Sequence, residues 1–315
     1  MSVIEKKFNP ILSIIIVSYN TAEITLNCLK SIKEDKGLKN IDYEIIIIDN
    51  DSKDNSVSKI KNFKIKNSLK TKNYKLEIIQ NSINAGFGKA NNQGIKIAKG
   101  NYILLLNSDT IILHSSISQS LDWLCSHPEA STCTAQLLNK DKTIQASGGY
   151  FPNLLNVFTW STGLDDLPLV NKIIKPLHPH TPIFYTHDNF YLKDHQQDWV
   201  TGAFMLTRKE LLNKVGGFDE NYFMYGEEVE LSYRIKKITK NNQVWYLVGP
   251  QVIHLGGASS TTRLNPIINE YLGIISFFKK HKPFYQYILV KIFIKLNAFL
   301  RSLIFPIYKE AYQKL

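Results

Sequence analysis

Between Ile11 and Leu106 the chain alternates short apolar runs with amphipathic stretches. Ile11–Val17 is apolar apart from Ser13 and mostly β-branched, the pattern of a strand buried on both faces. Asn20 and Glu23 stand three apart and predict a capping box for a helix with Ile24, Cys28, Leu29 and Ile32 on one face. A second strand is expected at Tyr43–Ile48, ending at Asp49, and Asp54 is placed to cap a short helix containing Val57 and Ile60. Leu76–Ile79 reads as a third strand, Gly86–Gly100 holds a helix with Ala90, Ile97 and Ala98 inward, and Tyr102–Leu106 is a fourth strand. From Thr143 to Val200 five prolines interrupt the pattern, so loops and short helices are expected there. A strand at Trp199–Thr207 and helices at Arg208–Val215 and Glu227–Lys237 follow.

Repeated strand–helix alternation with buried strands predicts an α/β fold with an open, mostly parallel sheet. Ligands of such sheets bind beyond the carboxyl ends of the strands. The residues there are Tyr19, Asn20, Asp49, Asn50, Asp51 and Asn107–Asp109, which are polar, rich in acids and amides, and free of glycine. Neither a G-x-G-x-x-G nor a G-x-x-x-x-G-K-[ST] cradle follows the first strand, which disfavours dinucleotide dehydrogenases and P-loop enzymes. Carboxylates at strand ends suit base and ribose recognition, with a hard cation holding a diphosphate.

Charge then separates the tail from the rest. Of the net +11, the segment from Thr261 to Leu315 carries +7, with nine Lys or Arg and two Glu. The first 260 residues are close to ordinary in charge, which argues against a nucleic-acid binder. Phe284 to Tyr308 is rich in Ile, Leu, Phe and Tyr but is interrupted by Lys291, Lys295 and Arg301. It is therefore expected to lie on a membrane surface as a basic amphipathic helix and not to span it. Packing against the catalytic domain or a second copy of the chain is the alternative. No secretory leader is read at the N-terminus, so the inner, cytoplasmic face of the cell membrane is the expected location. Cys28, Cys125 and Cys133 form no C-x-x-C pair, and His178, His180, His187 and His195 match no zinc spacing, so these histidines are expected to be solvated loop residues.

Five segments in order resemble glycosyltransferase family 2, and within it the bacterial rhamnosyltransferase-like branch. They are Val17–Asn20 (VSYN), Ile48–Asp54 (IDNDSKD), Asn84–Gly88 (NAGFG), Leu105–Asp109 (LLNSD) and Gly217–Glu228 (GFDENYFMYGEE). The resemblance implies a GT-A fold over residues 1–260, with a nucleotide-binding half to about 110, an acceptor-binding half from 111, and a helical tail over 261–315. It implies an inverting enzyme that moves a sugar from dTDP-rhamnose or a UDP-sugar to a lipid-linked glycan in surface polysaccharide synthesis.

Residue by residue, the resemblance gives Asp49 the donor base, with Tyr19, Asn20 and Asp51 lining the same pocket. Asn84 and Gly86 would approach the donor, and Gly202 and Ala203 would let a sugar pass near the main chain. Asn107-Ser108-Asp109 falls where the family carries its Asp-x-Asp motif. Asp109 would therefore hold Mg²⁺ or Mn²⁺ with His254, leaving Asn107 to the ribose or a metal-bound water. Glu227-Glu228 falls where the family has Glu-Asp, which makes Glu228 the base that deprotonates the acceptor hydroxyl. Two acids at a helix start also suit the helix dipole on structural grounds alone. Arg234 matches a family arginine and is expected to pair with phosphate or a carboxylate. The rivals from other classes are an idle sugar-nucleotide-binding or scaffold protein and a nucleotidyltransferase. The latter would want a glycine-rich basic loop after the first strand.

Overall fold

The computed structural model describes residues 9–68, 73–179, 190–239, 243–257, 264–305 and 307–314. His180 and His187 lie outside them. Four strands, β1 (Leu12–Ser18), β2 (Tyr43–Asp49), β3 (Tyr74–Gln80) and β4 (Tyr102–Asn107), pair in parallel in the order β3-β2-β1-β4. Ile14, Ile15 and Ile16 of β1 and Ile45 to Ile48 of β2 are fully buried because helices cover both faces. Side chains alternate across a strand. Ile14, Ile16, Ile45 and Ile47 thus meet α1 (Ala22–Glu34) and α4 (Ser116–Ser126). Ile15, Ile46 and Ile48 meet α3 (Phe87–Ile97), α7 (Lys209–Val215) and α8 (Glu227–Ile238). The uninterrupted isoleucine run follows from that two-sided burial.

Beyond β4 the sheet becomes mixed. β8 (Phe204–Arg208) is antiparallel to β4, and β6 (Ala130–Leu138) is antiparallel to β8. β9 (Gln243–His254) runs parallel to β6, while β5 (Thr110–Ile112) and β7 (His195–Gln197) are antiparallel to β9. The Thr143–Val200 stretch is mostly loop, with α5 (Leu154–Thr162), α6 (Pro168–Ile173) and short 3₁₀ turns. Here a capping box does form: Asn153 Oδ1 accepts from the amides of Leu155 and Asn156, both at 3.0 Å, and Asn156 Oδ1 accepts from the Asn153 amide.

Three local expectations change. The Asn20/Glu23 capping box is absent. α1 starts at Ala22, Asn20 sits in the left-handed region (φ 53°) and its Oδ1 accepts from Lys53 N at 2.7 Å, while Glu23 pairs with Lys59. Asp54 takes over the cap, accepting from Ala22 N at 3.3 Å and from Ser56 N at 3.0 Å, and so ties α1 to α2 (Ser56–Ser68). Contact between the loops after β1 and β2 outweighs the local signal. The second helix is also longer than expected, at 13 residues. Nor are the described histidines freely solvated. His195 stacks on Tyr246 at 4.9 Å between ring centroids, and His178 Nε2 lies 2.9 Å from Glu270 Oε1.

The tail forms α9 (Leu264–His281), α10 (Phe284–Ser302) and α11 (Ile307–Lys314). Tyr271, Phe277 and Phe278 of α9 and Val290, Ile294 and Ala298 of α10 pack with Val157 of α5 and with Leu177. Buried Asn297 ties this cluster together. It donates to Ser161 O at 2.6 Å and accepts from the Tyr271 hydroxyl. Two glycines bring α9 against the start of α8: a Cβ on Gly273 would lie 2.6 Å from Tyr225 O, and one on Gly226 would lie 3.1 Å from Gly273 Cα. Arg234 pairs with a carboxylate as one of its expected partners. It binds Glu230 through Nε at 2.9 and 2.7 Å and also reaches the carbonyls of Val215 and Gly217, both at 2.7 Å. Among the described residues no helix is long and apolar enough to cross a membrane.

Candidate active site

A cleft of about 490 Å³ opens at the carboxyl ends of β1 and β4, between the parallel half of the sheet and the turn that starts α8. β4 delivers Asn107, and Ser108 and Asp109 follow it into the wall. Pairing of β5 with β9 sets Thr110 opposite His254, and Leu255 N donates to Asp109 O at 3.0 Å. Two residues 145 positions apart are thereby fixed side by side: His254 Nε2 lies 3.3 Å from Asp109 Oδ1 and 3.2 Å from Asn107 Nδ2. Among the described residues no three His, Cys, Asp or Glu side chains form a metal cluster. A nitrogen and a carboxylate oxygen converging on one point nonetheless fit a divalent cation whose remaining ligands come from a diphosphate.

The opposite wall is the turn Phe223–Gly226, which is strained at Tyr225 (φ 72°), turns without strain at Gly226 (φ 92°) and leads Glu227 and Glu228 into the cleft. Glu227 is 2% exposed, and its Oε2 is buried without a hydrogen-bond partner. Burial and the neighbouring Glu228 carboxylate push its pKa well up, so it holds its proton more tightly. Burial also raises Glu228, but the amides of Glu228 itself, Gly202 and Gly226 favour its charged form, as does His178. Glu228 also lines a second, smaller cavity of about 90 Å³ with Trp199, His178 and Glu270.

Tyr19, Asn84, Asn107, Ser108, Asp109, Gly202, Ala203, Glu227, Glu228 and His254 all line the cleft. Asn20, Asp49, Asp51 and Gly86 do not. Asn20 is exposed and engaged with the Lys53 amide, and Asp51 pairs with Lys53 at 2.6 Å. Asp49 is 2% exposed; its Oδ2 accepts from Ser52 N at 3.1 Å, while its Oδ1 is buried without a partner. A Cβ on Gly86 (φ 86°) would lie 2.5 Å from Phe223 O, so this glycine serves the close approach of its loop to the Phe223–Gly226 turn.

Asn50, read from the sequence among the strand-end residues, also lines the cleft. Asn50 donates to Asn84 Oδ1 at 2.8 Å and accepts from Asn81 Nδ2 at 3.0 Å, which ties the loops after β2 and β3 together. Asn265, Pro266 and Asn269 bring α9 to the cleft mouth. These three were not singled out in the sequence.

A half-parallel, half-mixed sheet with a carboxylate-lined cleft at the junction defines a GT-A fold. The solved mannosyltransferase PcManGT from Pyrobaculum calidifontis, in complex with GDP-Man and Mn²⁺, superposes with a TM-score of 0.56 at 14% identity, covering 97% of this chain and 74% of that one. GalNAc-T7 with UDP, GalNAc and Mn²⁺ gives 0.57 at 16% identity, over 88% and 49% of the two chains. Residues 13–216 match the glycosyl transferase family 2 profile, and the chain belongs to that family. Curated relatives are rhamnosyltransferase-like. Rhamnosyltransferase WbbL of Escherichia coli (strain K12) is 30% identical over 158 residues, 48% of this chain and 54% of that protein. The N-acetylglucosaminyl-diphospho-decaprenol L-rhamnosyltransferase of Mycobacterium tuberculosis (strain ATCC 25618 / H37Rv) is 26% identical over 138 residues, 43% of this chain and 41% of that protein. The matches thus span about half or less of these relatives.

Proposed function

We propose that this chain is an inverting glycosyltransferase that moves a sugar from a nucleoside-diphosphate sugar to a hydroxyl of a lipid-linked glycan in surface polysaccharide synthesis. The observation that carries the reading is the shared cleft: Asp109 and His254 converge on one wall, and Glu228 faces it from the other. Asp109 Oδ1 and His254 Nε2 would hold Mg²⁺ or Mn²⁺, which when bound neutralises charge on a departing diphosphate. Glu228 takes the proton from the acceptor hydroxyl. That oxygen bonds to the anomeric carbon from the face opposite the diphosphate, and the sugar–phosphate C–O bond breaks, its electron pair leaving with the nucleoside diphosphate. The names of the relatives favour dTDP-rhamnose as donor, with a UDP-sugar as the alternative, and a polyprenyl-diphosphate glycan as acceptor. The test is turnover across a panel of nucleotide sugars, read as acceptor-dependent release of nucleoside diphosphate. It should stop in excess chelator and return with Mn²⁺ or Mg²⁺. Full activity with chelated metal would remove the proposed role of Asp109 and His254.

We also place the acceptor at a membrane surface. Opposite its buried Val290, Ile294 and Ala298, α10 exposes Tyr285, Ile288, Leu289, Ile292, Leu296, Phe299 and Leu300 at spacings of three and four. An exposed apolar stripe of this length on a helix calls for a partner on its outer face. Lys279, Lys282, Lys291, Lys295 and Arg301 lie on or beside this helix, which suits an anionic lipid surface better than a second basic copy of the same chain. Each basic side chain near such a surface contributes about 1 kcal/mol, weakened by salt. The full chain should sediment with vesicles containing phosphatidylglycerol, and the Ile292→Glu, Phe299→Glu double variant should not, with its thermal unfolding unchanged. Equal vesicle binding by both would remove α10 as the contact. A concentration-dependent dimer broken by the same substitutions would favour the second copy.

A further inference from the structure

We infer that Gln145 is a positioning residue for His254: its side-chain carbonyl keeps the proton on Nδ1 and so leaves the lone pair on Nε2, the nitrogen facing Asp109. The inference rests on the proposed role of His254 as a metal ligand.

A chain of hydrogen bonds leads from Asp141 to His254, and each donor fixes the next. Asp141 is exposed, and its contacts with the Thr143 hydroxyl and amide hold its carboxyl below the usual range, so it is ionised and can only accept. The Thr143 hydroxyl therefore gives its proton to Asp141 Oδ1 at 2.6 Å. Toward Asn139, 2.9 Å away, the same oxygen can then only accept, so Asn139 presents its amide nitrogen there. Asn139 Oδ1 is left facing Gln145, whose Nε2 donates to it at 2.9 Å and to the His254 main-chain carbonyl at 3.2 Å. Flipping the Gln145 amide would set its oxygen against two acceptors. With Nε2 so committed, Oε1 points at His254 Nδ1, 2.6 Å away, and a carbonyl at that distance requires Nδ1 to be the donor.

In the neutral ring Nε2 is then the unprotonated nitrogen, with Asn107 Nδ2 at 3.2 Å and Asp109 Oδ1 at 3.3 Å. Without Gln145 the ring is free to rotate or to change tautomer, and an Nε2–H would point at Asp109 in place of a lone pair. The backbone holds Gln145 for this task, since its amide donates to Leu137 O at 2.8 Å and Leu138 bridges to Ile144. A metal-bound histidine commonly has its second nitrogen fixed in this way, and loss of that partner typically weakens metal binding about 10–100-fold.

The test uses the full chain with ¹⁵N-labelled histidine and no metal, the His254 resonances being assigned by comparison with His254→Asn. The neutral form of His254 in the wild type should carry its proton on Nδ1. Gln145→Leu should show a tautomer mixture. Mn²⁺ titrations followed by electron paramagnetic resonance, with UDP or dTDP present, should show roughly 10–100-fold weaker binding for Gln145→Leu. An unchanged tautomer in Gln145→Leu overturns the inference. A changed tautomer with wild-type Mn²⁺ affinity upholds the effect of Gln145 on the ring but removes His254 from the metal site.

Discussion

Glu228→Gln should lower turnover by roughly 10²–10⁴-fold while donor binding stays near wild type. The amide keeps the size and the contacts of the side chain at the cleft wall but cannot accept a proton. Its neighbour supplies the control. Glu227 is the more deeply buried of the two, and burial together with the Glu228 carboxylate raises its pKa well above 4.5. Glu227→Gln copies the protonated form and should cost far less activity. It should also change stability in a pH-dependent way. Protonation of Glu227 stabilises the fold fully below the unfolded value near 4.5, and that contribution is lost as pH rises through the raised folded value. Glutamine has no such loss, so the melting temperature of Glu227→Gln should gain on wild type as pH climbs above 4.5. Wild-type turnover should fall on acidification at a pH above the ordinary glutamate range, because Glu228 must be ionised and burial raises it. A dead Glu227→Gln beside an active Glu228→Gln would exchange the two roles.

Glu230→Gln should destabilise the fold by about 3 kcal/mol, since removing one partner of a buried ionic cluster leaves the others uncompensated. Glu230 is fully buried and takes Arg234 through both oxygens, Lys280 at 2.6 Å and His281 at 3.0 Å, while Lys280 also reaches Asp219 at 2.7 Å. These contacts join α8, the end of α9 and the Gly217–Asn221 turn. At roughly 2–4 °C per kcal/mol for a chain of this order of size, thermal unfolding should drop by about 6–12 °C. Replacing Glu230 and Arg234 together with Leu and Met should recover much of that loss. A melting temperature for Glu230→Gln within a degree of wild type would show that the cluster contributes little.

The legible parts of this molecule are those whose cause is local or strongly periodic. Ile45–Ile48 announces a central strand because every one of those side chains is buried, whichever face it points to. Asp109 could be placed at the cleft because β4 must end where its apolar run ends. Asn20 and Glu23 misled because a capping box is a short-range preference, and the Lys53 amide in the next loop offered Asn20 a better partner. The contribution of α9 was hidden for a related reason: it depends on Gly226 and Gly273 meeting across 47 positions of sequence. Gln145 was invisible for the same cause, since its bond to His254 joins residues 109 apart and nothing in its own neighbourhood marks it. Asp49 shows the converse case. Its place at a strand end was legible, yet its carboxylate turns to the Ser52 amide and away from the open cleft.

The reaction proposed for this cleft breaks the sugar–phosphate bond of a nucleotide sugar and passes the sugar to an alcohol. Phosphorus NMR of the donor panel, with Mn²⁺ and a lipid-linked glycan acceptor, tests it most directly. One donor should convert to nucleoside diphosphate, in step with a new glycoside of inverted anomeric configuration, and Glu228→Gln should slow the conversion by roughly 10²–10⁴-fold. Tight donor binding with every donor left intact would mark an idle binding protein, and release of pyrophosphate would mark a nucleotidyltransferase; either result contradicts the account.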